Sequence, residues 1–241
     1  MNETLYKVLG KNGESVNGGL GRWSLPSGGK PGKWMPKIEG ELIPCDNGYH
    51  LCRRKDLITW LGPTIWEAEY RGDVVDADDK VVVRESRLLR RLNWNDRTAR
   101  LFACDCAEWA LSLLAEPDPR SIEAIRVARL YAVGKATEVE LDAAWAAAWA
   151  AAWAAWAAAG AAGDAAGAAW AAGAAWAAWA ARDAWAAWAA WAARDAWAAR
   201  AAGAAGAAWA ARAAGAAWAA ARDAAREYVT DRLFEYLDGR A

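Results

Sequence analysis

Apolar and polar positions change their period three times along this chain. From residue 4 to about residue 92 the apolar residues come in short alternating runs, which is the period of strands. Residues 4–9 (TLYKVL), 64–70 (TIWEAEY) and 80–84 (KVVVR), the last continuing toward Arg91, predict strands. Residues 10–32 are rich in Gly, Asn, Ser and Pro and predict turns. Residues 41–44 and 49–52 flank Asp46-Asn47-Gly48, a hairpin signal. Residues 55–61 read as a short helix, with Gly62 in the C′ position and Pro63 blocking its continuation. The expected class is α+β, beginning with a small antiparallel-sheet domain over residues 1–92.

From residue 93 to residue 140 the period becomes helical, which predicts a helical connector. Asn95 or Asp96 caps a helix to about Leu114, with Leu101, Ala107, Leu111 and Leu114 on its apolar stripe. Asp118-Pro119 opens a second helix, with Asp as N-cap and Pro at N1, where its missing N–H costs nothing. That helix ends at Gly134. Thr137 and Glu140 have capping-box spacing, so a third helix starts near Glu138.

The third period belongs to an Ala/Trp-rich array, assigned here to residues 141–241 together with a closing amphipathic helix (YVTDRLFEYL, 228–237). Non-Ala positions first fall at 145, 149, 153, 156, 160, 163 and 167, a mean step of about 3.7 that matches an α-helix. Trp145, Trp149, Trp153 and Trp156 then share a face. From Gly167 to Trp218 every third residue departs from Ala, without a miss, over 18 positions. These hold nine Trp, five Gly and four Arg. A step of three slips around an α-helix but lines up on a 3₁₀-helix. The period therefore favours 3₁₀ helices over α-helical hairpins for residues 167–218, between α-helical flanks. Expansion of an Ala-Ala-Trp unit accounts for the same alphabet, because Trp, Arg and Gly codons can differ in the first base alone.

Composition narrows the meaning of this pattern. The chain is 56% hydrophobic, but residues 143–221 hold 52 Ala and 13 Trp with no Leu, Ile, Val or Phe. Ala supplies helix propensity, and burial falls to the indoles. The packing or interaction face on the triplet lattice comprises Trp170, Trp176, Trp179, Arg182, Trp185, Trp188, Trp191, Arg194, Trp197, Arg200, Trp209, Arg212 and Trp218. Residues 143–163 carry no charge, yet Ala gives little insertion energy and Trp prefers interfaces, so no membrane span is expected.

Charge is balanced, with 29 basic and 30 acidic side chains, and neither part of the chain hides a basic excess. This argues against a nucleic-acid partner. Four Cys are too sparse for a disulfide scaffold, and the first residues lack a signal pattern, so a cytoplasmic setting is expected.

Candidate chemistry is thin. His50 with Cys45, Cys52, Cys104 and Cys106 has a zinc-compatible inventory, but the spacings are not those of zinc knuckles, and buried thiols are expected instead. Glu67-x-Glu69 sets two carboxylates on one side of a strand, as in some ADP-ribosyltransferases, without the partner motifs. Residues 28–33 (GGKPGK) lack the Ser or Thr of a phosphate loop and read as a plain loop. Arg71-Gly72-Asp73 reads as a hairpin turn. No catalytic residue, cofactor or metal is expected.

Two stretches resemble known families. PCDNGYHLC, LITWLG, IWEAEYRG and DDKVVV, within residues 3–92, resemble a domain of unknown function in phage and actinobacterial proteins. ARLFACDCAEWALSLL and DPRSIEAIRVARLYAVGKAT, within residues 99–150, resemble Ala-rich immunity-type proteins of bacterial toxin systems. The second resemblance implies binding to a partner toxin and implies no catalytic residue. The triplet array departs from those proteins, whose tails are varied by Leu, His and Val.

The expected function is a non-enzymatic structural or interaction protein whose array packs on itself, on copies of itself or on a protein partner. One added Ala after Trp188 breaks a three-residue stripe but hardly disturbs an α-helix with scattered Trp. With the period-three packing, the insertion lowers the melting temperature sharply in calorimetry; an unchanged value assigns the segment to α-helix.

Overall fold

The structure, a computed structural model, describes residues 3–16, 18–112, 117–162 and 211–241, with backbone alone over 151–162 and 211–222. The chain divides into two compact units: Met1–Asn95 with Leu233–Ala241, and Asp96–Arg232.

The first unit is built on four antiparallel strands, β1 (Leu5–Leu9), β2 (Tyr49–Leu51), β3 (Thr64–Ala77) and β4 (Lys80–Arg91), in the order β1-β3-β4-β2. The antiparallel sheet and the α+β class are as the sequence implies. The β3–β4 hairpin is the long element, and two bulges bend it. One extra residue intrudes near Leu89, opposite Glu67 and Ala68, and another near Gly72-Asp73, opposite Arg84. Bulges raise local twist and curl a strand. Here the curl brings the two sheet edges together: Tyr6 and Cys52 exchange backbone hydrogen bonds of 2.9 and 2.8 Å. The sheet is closed at that point, which removes two exposed edges.

The rest of the β4 edge is covered by an extended strap. The amides of Gly32, Met35 and Ile38 donate to the carbonyls of Leu88, Ser86 and Arg84. The strap advances three residues for every two on β4, so Pro36, which has no N–H, falls where none is needed. Trp34 on the strap lies under the guanidinium groups of Arg71 and Arg87, at 4.4 and 4.7 Å. One face of the closed sheet carries Leu5, Leu9, Trp23, Leu51, Trp66, Ala68, Val81, Val83 and Leu88 as a buried cluster.

Four local expectations are corrected in this unit. Arg71-Gly72-Asp73 is not the hairpin turn: it is a bulge inside β3, where Gly72 takes φ +81. β3 runs on to Ala77 because a bulge keeps the ladder that a turn would end. Residues 41–44 form no strand; Ile43 and Asn47 close a tight turn, and β2 pairs with β4 instead. The helix over 55–61 shrinks to a 3₁₀ turn, Leu57–Trp60, which Leu61 leaves in extended geometry, so Gly62 is not a left-handed cap. The thiols are not all buried, since Cys45 is exposed.

The chain's far end also belongs to this unit. Asn93 donates its backbone N–H to the Leu237 carbonyl and its side-chain amide to the Tyr236 carbonyl, both at 3.1 Å. Tyr6 meets Phe234 edge-on at 5.2 Å between ring centres, and Arg54 lies 3.8 Å over the same Phe234 ring. Leu233, Phe234, Tyr236 and Leu237 are buried.

The second unit is helical: α1 (Asp96–Ser112), α2 (Pro119–Ala132), α3 (Glu138–Ala162) and most of α4 (Ala211–Leu237). The capping signals hold. Asp118 accepts from the Arg120 amide at 2.8 Å. Gly134 sits at φ +73, and Lys135 N–H closes onto the Leu130 carbonyl, a left-handed C-terminal cap. Thr137 N–H donates to Glu140 Oε2 at 2.7 Å, while Glu140 N–H donates back to Thr137 Oγ1 at 3.2 Å. The α1 stripe is displaced from the expected one: Phe102, Ala103, Cys104 and Cys106 are buried with Ala107 and Leu111, whereas Leu101 is half-buried. Leu114 lies outside the described residues.

Asp105 is the polar centre of this unit. It is buried on α1 and receives Arg129 Nη2 from α2 at 2.5 Å and Arg232 Nε from α4 at 2.6 Å. Trp109 stacks on Tyr228 at 4.6 Å, joining the same two helices, α1 and α4. Removing Asp105 leaves Arg129 with Glu108 alone and takes from Arg232 its contact with α1. Asp105→Ala is expected to cost about 2–3 kcal/mol, below the fully buried case because both arginines reach solvent. Urea unfolding followed by far-ultraviolet circular dichroism measures it.

A lysine-lined cavity and the array face

The sequence assigns the interaction face to the triplet lattice. Trp170, Trp176, Trp179, Arg182, Trp185, Trp188, Trp191, Arg194, Trp197, Arg200 and Trp209 lie outside the described residues. Arg212 and Trp218 fall on α4. Residues 211–218 are therefore α-helical, against the 3₁₀ expectation for that end of the lattice. The physical reason is cooperative: the four-residue steps at 218, 222 and 226 belong to an α-helix, and Ala-rich sequence propagates it backward at little cost. The other edge of the array behaves as its spacing predicts. α3 is one continuous helix, and Trp145 and Trp149, four residues apart, stack at 6.3 Å with 29° between planes.

The expected carboxylate pair is used structurally. Glu67 accepts from Arg90 Nε at 2.7 Å, Glu69 pairs with Arg87, and Glu85 accepts from Arg71 Nε at 2.9 Å. These cross-strand pairs form a ladder along the β3–β4 hairpin. Residues 27–30 form a tight turn closed by two Ser27–Lys30 backbone hydrogen bonds, which agrees with a plain loop over that stretch. Among the described residues, no group of three or more His, Cys, Asp or Glu is placed to hold a metal.

What the sequence reading passed over is Lys7. On β1 it stands between Leu5 and Leu9, and strand alternation puts all three on the face of the buried cluster. A charged residue at an inward position of an otherwise apolar alternation was the available signal in TLYKVL. Its Nζ donates to the His50 carbonyl at 2.9 Å and lies 5.1 Å from the Trp23 ring centre. Burial pushes its pKa down to about 8, against a small opposing effect of Cys52.

Lys7 faces a cavity of about 430 Å³ whose lining includes Trp23, Asn47, Tyr49, Cys52, Trp60 and Lys80. Two Lys–Trp pairs thus border one space, because Lys80 Nζ lies 4.7 Å over Trp60. Lys80 is also paired with Asp79 at 3.0 Å. His50 is held neutral: its Nε2 accepts the Cys45 amide at 2.8 Å, and burial, then Lys7 and Lys80, lower its pKa. Cys45 reaches that position with φ +67. Burial raises the Cys52 thiol to about 12, so it is protonated and a poor nucleophile.

No protein-family model, curated protein or solved structure matches the chain. The two resemblances rest on their quoted motifs. No helix among the described residues is long and apolar enough to cross a membrane.

The depressed Lys7 pKa has a sign that can be checked. A lysine that titrates near 8 when folded and near 10.5 when unfolded binds fewer protons in the native state between those values. Its burial therefore costs stability below pH 8, and the cost fades as pH rises toward 10.5. Cys52 works in the opposite direction above pH 9, so the informative quantity is the difference between wild type and Lys7→Met. The variant should be more stable by about 2–3 kcal/mol at pH 7, and the gap should close by about pH 10.5. Urea unfolding at half-unit pH steps measures it.

Proposed function

We propose that this chain is a non-enzymatic structural or protein-interaction protein whose working surface is the Trp/Gly/Arg array. One observation carries the reading: the array is inserted between two anchored helix ends. On one side, α3 starts at a closed capping box and buries Leu141 and Ala148. On the other, α4 buries Ala225 and Val229 and ends with Leu233, Phe234, Tyr236 and Leu237 buried. The array thus lies in sequence between two helices that the fold holds. Its composition is what a packing surface needs, with Ala allowing close approach and Trp supplying area. The half-buried, stacked pair Trp145–Trp149 on α3, next to the array, supports this reading. In this reading residues 167–210 keep their three-residue register, and a partner's indoles enter at the Gly positions.

A second reading is an immunity-type protein that binds and neutralises a partner toxin. It is supported by the motifs of residues 99–150, which form α1, α2 and the first half of α3.

In analytical ultracentrifugation over a hundredfold concentration range, the full chain should associate. The triple substitution Trp185→Ala, Trp188→Ala, Trp191→Ala should return it to monomer. A wild-type chain that stays monomeric throughout overturns self-assembly.

A further inference from the structure

A buried lysine ordinarily comes with a carboxylate, because an uncompensated charge in a poorly hydrated place is costly. Elsewhere in this unit even partly exposed cations are paired. Arg53, Arg71, Arg84, Arg87, Arg90 and Lys80 each face an Asp or Glu. Lys7, on the core face between Leu5 and Leu9, has no carboxylate within salt-bridge reach among the described residues. It has one hydrogen bond, to the His50 carbonyl, and an aromatic face beside it at Trp23. An ammonium has three donors, so that bond leaves two unspent. The same group borders a cavity of about 430 Å³.

We propose that this cavity binds a small monocarboxylic acid, its carboxylate meeting the Lys7 ammonium and its apolar body lying against Trp23. The chemistry of the lining selects this class. A cationic ligand would meet Lys7 with like charge. A neutral ligand would leave the ammonium uncompensated. A phosphate dianion calls for several cations, and the cavity's second one, Lys80, already holds Asp79. A single carboxylate matches a single ammonium and accepts from both remaining N–H groups. The size also fits, since roughly 300–1,000 Å³ is typical of small-molecule sites. Leu20, wholly exposed in the Gly-rich loop at the rim, offers apolar surface for a ligand to cover.

A depressed lysine pKa is the electrostatic mark of the same vacancy of charge. The groups that act on Lys7 and its neighbour His50 are the Cys52 thiol and the Lys80 ammonium. Neither supplies a fixed negative charge at neutral pH, and Asp46, the carboxylate that also lines the cavity, makes no ion pair with Lys7, so a bound acid would dominate the Lys7 titration.

The experiment uses the full chain with ¹³C-labelled lysine, titrated with benzoate, benzamide and inorganic phosphate. The Lys7 side-chain resonance is followed from pH 6 to 11. Benzoate should bind saturably and raise the Lys7 midpoint by about one pH unit or more, which corresponds to about tenfold tighter binding to the charged form. Benzamide should do neither. Lys7→Gln should weaken benzoate binding by about tenfold or more. An unmoved Lys7 midpoint at saturating benzoate overturns the proposal, as does benzamide binding as tightly as benzoate. A shift with phosphate and none with benzoate overturns the carboxylate assignment. Should Lys7→Gln fail to fold, the wild-type titration alone decides.

Discussion

Asn93 donates two hydrogen bonds to the carbonyls of Tyr236 and Leu237, and Phe234 packs edge-on against Tyr6. These contacts close the chain on itself across more than half its length. The Ala/Trp stretch lies in sequence between these two contacting points, and the helices next to it, α3 and α4, keep α-helical register on either side.

The two units reach stability by different chemistry. The strand unit buries ordinary apolar side chains, Leu, Val and Trp, inside a sheet that two bulges bend until Tyr6 meets Cys52. Its charges are spent on cross-strand Arg–Glu pairs. The helical unit has smaller apolar side chains and uses a buried Asp105 to gather arginines from two other helices. Each unit has a charged residue set among apolar neighbours, Asp105 buried and Lys7 half-buried. Asp105 has its opposite charges, whereas Lys7 has no carboxylate within salt-bridge reach among the described residues and borders a cavity. That asymmetry is the physical difference between the two groups.

The helix ends were legible because capping is local chemistry. Asp118-Pro119, Gly134 and the Thr137–Glu140 box each satisfy backbone groups within five residues of themselves. The strands were legible in kind but not in extent. Gly72-Asp73 carries a turn signature, and only pairing with Arg84 turns it into a bulge that lets β3 continue. The Glu67–Glu69 pair was legible as two carboxylates on one side. Its role depended on Arg87 and Arg90, which stand opposite only in the correct register.

By itself, the sequence determined the α+β class, the caps at Asp118, Gly134 and Thr137–Glu140, and the α-helical face of Trp145 and Trp149. Each depends on residues within one or two turns of one another, where backbone geometry and side-chain reach are set by covalent proximity. Tertiary structure alone decided the closure of the sheet at Tyr6 and Cys52, the half-burial of Lys7 beside a cavity, and the return of Leu237 to Asn93. Each depends on groups 43 to 144 residues apart. At that separation local propensity says nothing about which partners meet, and the choice falls to the packing of the whole unit.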